Sequence, residues 1–208
     1  LKFNDYFVQE GLAFRFTPFN YRVWGDAEGD NGYAVDIKKL YDNVMNRYKY
    51  GGLDTPGLYL DETTLRTCYY HRRLFAQLAK ELIKQGDHVR ARKVLTYAEQ
   101  AVPAYNVPEI YESGSFDIAT AYAALGEKTK AVTLFNHLIA ESEDYINWAF
   151  SLGNGRTGMM QNDCLYKFWQ WNAYNERMKE IDKESYEASN RRFEEKYALF
   201  TQIINNRN

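Results

Sequence analysis

The sequence predicts a mainly α-helical protein: a tetratricopeptide-like stack of antiparallel helix pairs with a small irregular or β segment at the amino terminus. Two observations predict this fold class. The stretch 72–103 follows the tetratricopeptide signature around a turn glycine, Gly86, and ends at Pro103. A second stretch repeats the same offsets around Gly126, 40 residues after the first glycine. Because one such hairpin cannot bury its apolar face alone, two copies in register indicate stacking.

The two copies share small and apolar residues at equivalent places. Small residues let two helices approach closely, the glycine permits a tight reversal, and proline ends the second helix. The period of 40 exceeds the usual repeat of about 34, so we expect an earlier helix start, near Pro108, interrupted at Gly114. The signature residues are Leu78, Ala79, Leu82, Gly86, Ala91, Leu95, Ala98 and Pro103, and then Ile118, Ala119, Tyr122, Gly126, Ala131, Phe135 and Leu138.

Residues 1–60 are predicted to form a segment that packs on the repeats. Leu12–Phe16 alternates as a strand does, with Tyr21–Trp24 as its candidate partner, whereas Phe7–Glu10 suggests the end of a short helix. The acidic loop that begins at Asp26 resembles a calcium loop only weakly. Its glycine falls at the seventh place and Ile37 at the twelfth, so we favour a solvated turn.

Helix signals then organise the rest of the chain. An apolar stripe predicts a helix over Val35–Tyr50, and Asp61 is a candidate N-cap for a long helix that ends near Gln85. Its hairpin partner is predicted over His88–Ala101. Residues 61–152 would therefore hold two hairpins, and residues 153–208 a helical pair that caps the stack.

The carboxy-terminal segment contains one motif of uncertain meaning. Gly153–Gly158 has the form G-x-G-x-x-G, but a dinucleotide fingerprint requires a preceding strand and a parallel sheet. Helical patterns surround it here, so a loop that connects helices is favoured. In the first helix that follows, the pattern places Leu165, Phe168, Trp169 and Asn172 on one side, with Cys164, Trp171 and Met178 close by. In the last helix it predicts a single inward stripe of Phe193, Tyr197, Phe200 and Ile204.

Composition narrows the classes of function. The net charge of -2, from 26 basic and 28 acidic residues, argues against a nucleic-acid partner. Aromatic residues make up 16%, which suits either a carbohydrate or peptide surface or, as we favour, helical packing. Cys68 and Cys164 could pair, but two lone thiols are favoured. No signal peptide or membrane-spanning run is present, and the start at Leu1 suggests a piece of something larger.

No pattern of catalytic or metal-ligating residues occurs. His71, His88 and His137 fall in different elements and lack metal-site spacing. No nucleophile elbow or phosphate-binding loop is present. We therefore expect no metal, no cofactor and no catalytic residue in this chain, and a hydrolase or transferase ranks as the third hypothesis.

Tetratricopeptide stacks bind ligands in the groove that is lined by their first helices. When Gly86 is counted as the fifteenth position, the residues of the first copy that face the groove are Arg73, Ala76, Lys80, Ile83 and Lys84. Those of the second copy are Ser113, Phe116, Thr120, Ala123 and Ala124. The basic first set suits an acidic or carboxylate-bearing peptide. Basic residues on a helix are more often simply solvated, and that interpretation is favoured.

A second hypothesis is sugar recognition by exposed aromatic side chains. Its candidates are the four tryptophans, Trp24, Trp148, Trp169 and Trp171. It requires at least two of them to be exposed to solvent in one concavity.

Several strings together resemble a known family. They are 6–18 (YFVQEGLAFRFTP), 40–52 (LYDNVMNRYKYGG) and 59–62 (YLDE), which leads into the first repeat. In that order they resemble the carboxy-terminal region of the DUF2723 family, which consists of multi-pass membrane proteins of Bacteroidetes similar to protein O-mannosyltransferases. The resemblance extends to about Leu152 and is weaker beyond it.

The resemblance implies that membrane helices and glycosyl-transfer residues would lie in an upstream part of a longer protein. It implies no catalytic position in this chain. It further implies that this domain faces the periplasm and holds a protein or peptide partner, with a glycan or glycoprotein acceptor as a candidate. Contact with the membrane would then occur only through the upstream part.

Overall fold

The computed structural model describes residues 3–20 and 33–205, and it confirms a mainly α-helical protein with a small amino-terminal sheet. The chain divides into two compact units, Leu1–Leu125 and Gly126–Asn208. This division falls inside the predicted segment 61–152, at the bend of the second hairpin. Each unit contains fully buried apolar side chains of its own.

Three short strands form the sheet of the first unit. They are β1 (Phe7–Gln9), β2 (Phe14–Phe16) and β3 (Ala34–Val35), in the order β2-β1-β3. β1 pairs with β2 antiparallel and with β3 parallel. The expected end of a helix at residues 7–10 is therefore wrong, since a 3-10 turn at Phe3–Tyr6 leads directly into a strand. The expected partner strand at 21–24 and the acidic loop from residue 26 lie outside the described residues.

The first α-helix is shorter than predicted. α1 spans Ile37–Asp42, and its N-cap Asp36 accepts a hydrogen bond from the Lys39 backbone N–H. A π-helical turn, Asn43–Arg47, continues it, and the chain becomes extended at Tyr48. Val35, the predicted first residue of this helix, belongs to β3, where its side chain is buried. The helix begins only after Asp36, which is its N-cap.

A long helical hairpin follows and matches its prediction. α2 spans Glu62–Lys84, and α3 spans His88–Ala101. The carboxylate of Asp61 accepts from the backbone N–H groups of Thr63 and Thr64 at 2.9 and 3.1 Å, which confirms the N-cap. α2 and α3 pack against each other through buried residues that include Phe75, Leu78, Ala79, Leu82, Ala91, Val94, Leu95 and Ala98.

The bends at the two repeat glycines have the same backbone conformation. Gly86 and Gly126 both have φ of 76°, in the left-handed region that glycine adopts without strain. The residues before them, Gln85 and Leu125, have φ, ψ of -79°, -3° and -83°, -1°. A new helix begins two residues after each glycine, at His88 and at Lys128. The internal repeat inferred from the sequence is therefore present at the level of these turns.

α4 completes the first unit. It spans Ser115–Ala124 and is preceded by a 3-10 turn at Tyr111–Ser113. The expected start near residue 108 is wrong, but the expected break at Gly114 is present, since this residue has φ of 84°. α4 packs directly against α2.

Four helices form the second unit within residues 126–205. They are α5 (Lys128–Ser151), α6 (Asn154–Met159), α7 (Gln161–Ile181) and α8 (Lys183–Asn205). α7 packs against both α5 and α8, as expected for a last helix that packs on the preceding one. The G-x-G-x-x-G string lies mostly in the short helix α6 instead of a loop. The element that precedes it is the helix α5, whereas a dinucleotide fingerprint follows a strand.

The inward faces of α7 and α8 differ from the predicted stripes. Phe168 is buried, but Leu165 is 38% exposed and Trp169 is 52% exposed. The fully buried residues of α7 include Trp171 and Tyr174, because α7 has neighbours on two sides and its buried face is wide. On α8, Phe200 is buried as predicted.

Candidate functional site

The predicted groove residues lie on two helices that are neighbours in the first unit. Arg73, Lys80, Ile83 and Lys84 belong to α2, whereas Phe116 and Thr120 belong to α4. We call this set the α2/α4 surface. Because α2 packs against both α3 and α4, the first helices of the two copies lie next to each other, as a groove of this type requires.

Most of the positive charge predicted for this surface is engaged within the protein. The Arg73 guanidinium lies over the Tyr70 ring, 5.4 Å from its centroid, and donates to the Glu112 carbonyl. Lys84 Nζ lies 2.7 Å from Oε1 of Glu81, a buried carboxylate. These contacts oppose the preference for an acidic ligand that the basic residues suggested.

Apart from the partly exposed Lys80, the rest of the α2/α4 surface is apolar or weakly polar and partly exposed. Ile83, Phe116 and Thr120 are each half-buried. The Thr120 hydroxyl donates to the Phe116 carbonyl at 2.9 Å, and the Phe116 ring packs on Tyr111 with centroids 5.8 Å apart. Ala76 and Ser113 were predicted to face the groove, but they are 1% and 0% exposed and cannot contact a ligand there, so the prediction is wrong for these two residues.

Arg72 is the residue of this region that sequence reasoning missed. It is 3% exposed, and its guanidinium donates to four oxygens in the segment 102–113. Burial lowers the pKa of Arg72 to about 10, and the nearby charge of Glu109 acts in the opposite direction. This side chain attaches the longer-than-usual connection between the hairpins to α2, and so it positions the start of α4. No spacing in the sequence distinguishes it from the neighbouring Arg73.

The tryptophans divide into two exposed ones and one that is buried. Trp148 on α5 is 50% exposed and Trp169 on α7 is 52% exposed. Trp171 is fully buried and donates from Nε1 to the Ser189 hydroxyl at 2.8 Å, so its proposed place in a sugar platform is wrong. Trp24 lies outside the described residues.

The two exposed tryptophans each have a tyrosine neighbour. The Trp148 and Tyr145 rings have centroids 5.4 Å apart, and the Trp169 and Tyr166 rings are stacked with centroids 5.7 Å apart. We call these four residues the aromatic platform. Lys167 links the two helices, since its Nζ lies 5.7 Å from the centre of the Tyr145 ring and 2.9 Å from Oε1 of Glu141.

Histidine and cysteine side chains form no metal centre in the described residues. Nowhere in residues 3–20 and 33–205 do three His, Cys, Asp or Glu side chains come together as ion ligands. Both Cys68 and Cys164 are buried free thiols, and burial raises the pKa of each. His71 packs against Tyr50 with ring centroids 5.3 Å apart, its Nδ1 has no hydrogen-bond partner, and burial lowers its pKa.

Within the part of the chain that the structure describes, no helix combines the length and apolar character needed to cross a membrane.

Comparison of the chain with protein-family models, with curated proteins and with solved structures gave no match.

Proposed function

We propose that this chain is a non-catalytic interaction domain built from tetratricopeptide-like helical hairpins. The observation that carries the proposal is the direct packing of α2 against both its hairpin partner α3 and the next first helix, α4. Neighbouring first helices can offer their outer faces to one ligand. Partly exposed Ile83, Phe116 and Thr120 on these helices supply apolar contact area, and Lys80 adds a cation.

The partner proposed for this surface is a protein or peptide segment. A peptide that lies across two helices needs apolar contacts for affinity and a few polar groups for orientation. Because Arg73 and Lys84 are held by Glu112 and Glu81, we propose that apolar contacts at Ile83 and Phe116 contribute more than charge does.

A peptide array or pull-down with the whole chain tests this proposal. Ile83→Asp together with Thr120→Lys should abolish binding, whereas Tyr166→Ala, on another unit, should leave it unchanged. Charge reversal of both Lys80 and Lys84 should weaken it less. Binding that is unaffected by both α2/α4 variants would remove this surface from the proposal.

The resemblance to DUF2723 proteins supports a setting for this role. On that basis we propose that the domain is the periplasmic part of a membrane-embedded, glycosyltransferase-like protein and holds a partner or acceptor near it. The sequence strings 6–18, 40–52 and 59–62 are the support for this setting. The reading frame upstream of Leu1 tests it, since several hydrophobic spans are expected there.

A second candidate function is carbohydrate binding at the aromatic platform. The observation that favours it is that Trp148 and Trp169 are both about half exposed on neighbouring helices of one unit. Exposed tryptophan rings can stack on the apolar faces of sugar rings, and tyrosine hydroxyls can pair with sugar hydroxyls. Titration with a set of neutral oligosaccharides should change the tryptophan fluorescence, and Trp148→Ala with Trp169→Ala should abolish the change. No response to any sugar would exclude this function for the set.

A further inference from the structure

A groove runs along the outer side of α3 in the first unit. One cavity of about 600 Å³ lies between α3 and the segment 45–54, and a second of about 400 Å³ shares four of its lining residues. The α3 residues that line them extend from residue 93 to residue 101. At a rise of about 1.5 Å per residue the groove is about 12 Å long, the length of three to four extended residues. The residues used below are Met45, Asn46, Lys49, Lys93, Tyr97 and Gln100.

Hydrogen bonds hold the wall opposite α3. The Tyr50 hydroxyl donates to the Val44 carbonyl at 2.7 Å, and the Leu53 N–H donates to the Tyr50 carbonyl at 3.1 Å around the glycine pair 51–52. Asn106 Nδ2 donates to the Leu53 carbonyl at 2.6 Å. A groove whose wall is already ordered loses little conformational entropy when a ligand binds.

The charge along this groove is mostly positive and is not neutralised internally. Lys49 and Lys93 are exposed and make no ion pair within residues 3–20 and 33–205. Nearby arginines differ, because Arg47 pairs with Asp42 and Arg90 pairs with Asp87, both at 2.6 Å. Asp54 is the single acidic residue in the lining.

The uncharged lining residues suit a peptide backbone. Asn46 and Gln100 stand on opposite walls, and each carries an amide, which can both donate and accept as a peptide group does. Asn46 Nδ2 donates one hydrogen bond to Asp42 Oδ1 at 3.1 Å, which leaves its second N–H and its carbonyl oxygen for a ligand. The Tyr97 ring packs at the edge of the core, 6.0 Å from the Tyr50 centroid, and Met45 is a flexible apolar contact. The groove thus combines backbone-like hydrogen-bonding groups with two cations.

We infer that this groove, which we call the α3 groove, binds an extended peptide segment of three to four residues with acidic side chains. Lys49 and Lys93 would pair with the carboxylates, while Asn46 and Gln100 would bond to the peptide backbone. The inference rests on the proposed role as a binding domain, but not on the α2/α4 surface. The inference assigns the preference for an acidic ligand to Lys49 and Lys93. The sequence alone assigned that preference to Arg73, Lys80 and Lys84.

Fluorescence anisotropy with a labelled Gly-Asp-Glu-Asp-Gly peptide tests the inference. The intact chain should bind it, with affinity that falls as salt rises, and a Gly-Asn-Gln-Asn-Gly peptide should bind at least about tenfold more weakly. Lys49→Glu with Lys93→Glu should lower the affinity for the acidic peptide by about tenfold or more. Gln100→Ala should lower it less. Since all three side chains are exposed, the variants should keep the helical circular dichroism of the parent.

The matched control is Arg73→Glu with Lys80→Glu, which makes the same charge change on α2 and leaves the ion pair of Lys84 with the buried Glu81 intact. Unchanged binding in this control, with loss in the α3 variant, supports the inference. Loss in the control alone would overturn it and would assign the acidic ligand to the α2/α4 surface. Equal binding of both peptides, equal affinity of the parent and the α3 variant, or no binding at about 1 mM peptide would also overturn it. Failure here leaves the test at Ile83 and Thr120 unaffected.

Discussion

The guanidinium of Arg72 on α2 donates a hydrogen bond of 2.6 Å to the backbone carbonyl of Val107. The same group donates to the carbonyls of Val102 and Pro108 and to the Ser113 hydroxyl. Among the described residues, all four acceptors of the Arg72 guanidinium are neutral oxygens and none is a carboxylate. A planar group with five N–H donors is suited to such a set, because several acceptors can be reached at once from fixed directions.

Replacement of Arg72 should therefore destabilise the first unit. Arg72→Met would remove this donor from the carbonyls of Val102, Val107 and Pro108, whereas the Ser113 hydroxyl would keep its hydrogen bonds to Ile110. We expect a loss of about 2 to 5 kcal/mol in the free energy of unfolding. Arg72→Lys should not restore it, because an ammonium group cannot reach the same spread of acceptors. Urea unfolding followed by circular dichroism measures the effect. Arg66→Lys, on an exposed part of α2, is the control, and equal stability of both lysine variants would contradict the structural role of Arg72.

Two glycines of the first unit should respond differently to alanine. Gly114 has φ of 84°, and an added Cβ would lie 2.8 Å from Arg73 Cγ and 3.1 Å from Arg73 Cα. Gly86 has φ of 76°, but an added Cβ would meet no atom within 4 Å. Gly86→Ala should cost about 1 to 2 kcal/mol from backbone strain alone. Gly114→Ala should lower the unfolding midpoint in urea by more than Gly86→Ala does, because its Cβ would also clash with Arg73. Equal shifts of the midpoint in the two variants would mean that α2 does not approach residue 114 closely.

The stability of the first unit should fall at mildly acidic pH because of His71. Burial lowers the pKa of His71 in the folded state, so the unfolded state binds more protons between that pKa and about 6.5. The free energy of unfolding should therefore increase as the pH is raised to about 6.5, and decrease as the pH is lowered from about 6.5. His71→Gln should flatten this dependence in urea titrations between about pH 5 and 8, whereas His88→Gln should keep it. The same slope in both variants would contradict this assignment.

Both thiols should be unreactive while the chain is folded. Cys68 and Cys164 are buried, and the raised pKa of each leaves little thiolate at neutral pH. A thiol reagent such as Ellman's reagent should modify neither in native buffer and both in urea. The cysteine variants Cys68→Ser and Cys164→Ser tell which thiol reacts if one does. Fast modification in native buffer would contradict the burial of that thiol.

The tryptophans of the aromatic platform should be accessible to a quencher in solution. Trp148 and Trp169 are about half exposed, whereas Trp171 is not exposed. In a Trp24→Phe background, acrylamide should therefore quench a large part of the emission, and the further changes Trp148→Phe and Trp169→Phe should remove most of the quenchable part. Retained quenching in that variant, judged against Trp171→Phe, would show that the platform is not on the surface.

Hairpin geometry could be predicted from the sequence because it depends on local signals. Asp61 is a side-chain cap, and Gly86 and Gly126 supply the left-handed turn conformation, so each signal lies within a few residues of its effect. The strand at residues 7–9 could not be assigned in this way. Its pairing with residues 34–35 is a long-range contact that no local pattern of three residues encodes.

The candidate sites were less predictable for a similar reason. Repeat position placed Arg73 and Lys84 on the α2/α4 surface, but it could not show that Glu112 and Glu81 engage them. Lys49 and Lys93 lie 44 positions apart in the sequence, and only the folded segment 45–54 brings them to one groove. For Trp171, burial depends on α8, and a helix with neighbours on two sides has no single inward stripe.

The measurement that tests the proposed binding role most directly is chemical-shift mapping on the ¹⁵N-labelled chain with a peptide selected by the array. We expect the largest chemical-shift changes with that peptide at Ile83, Phe116 and Thr120. These changes should vanish in the Ile83→Asp, Thr120→Lys variant. Large shifts confined to the second unit, or no shifts with any selected peptide, would contradict the proposed binding role.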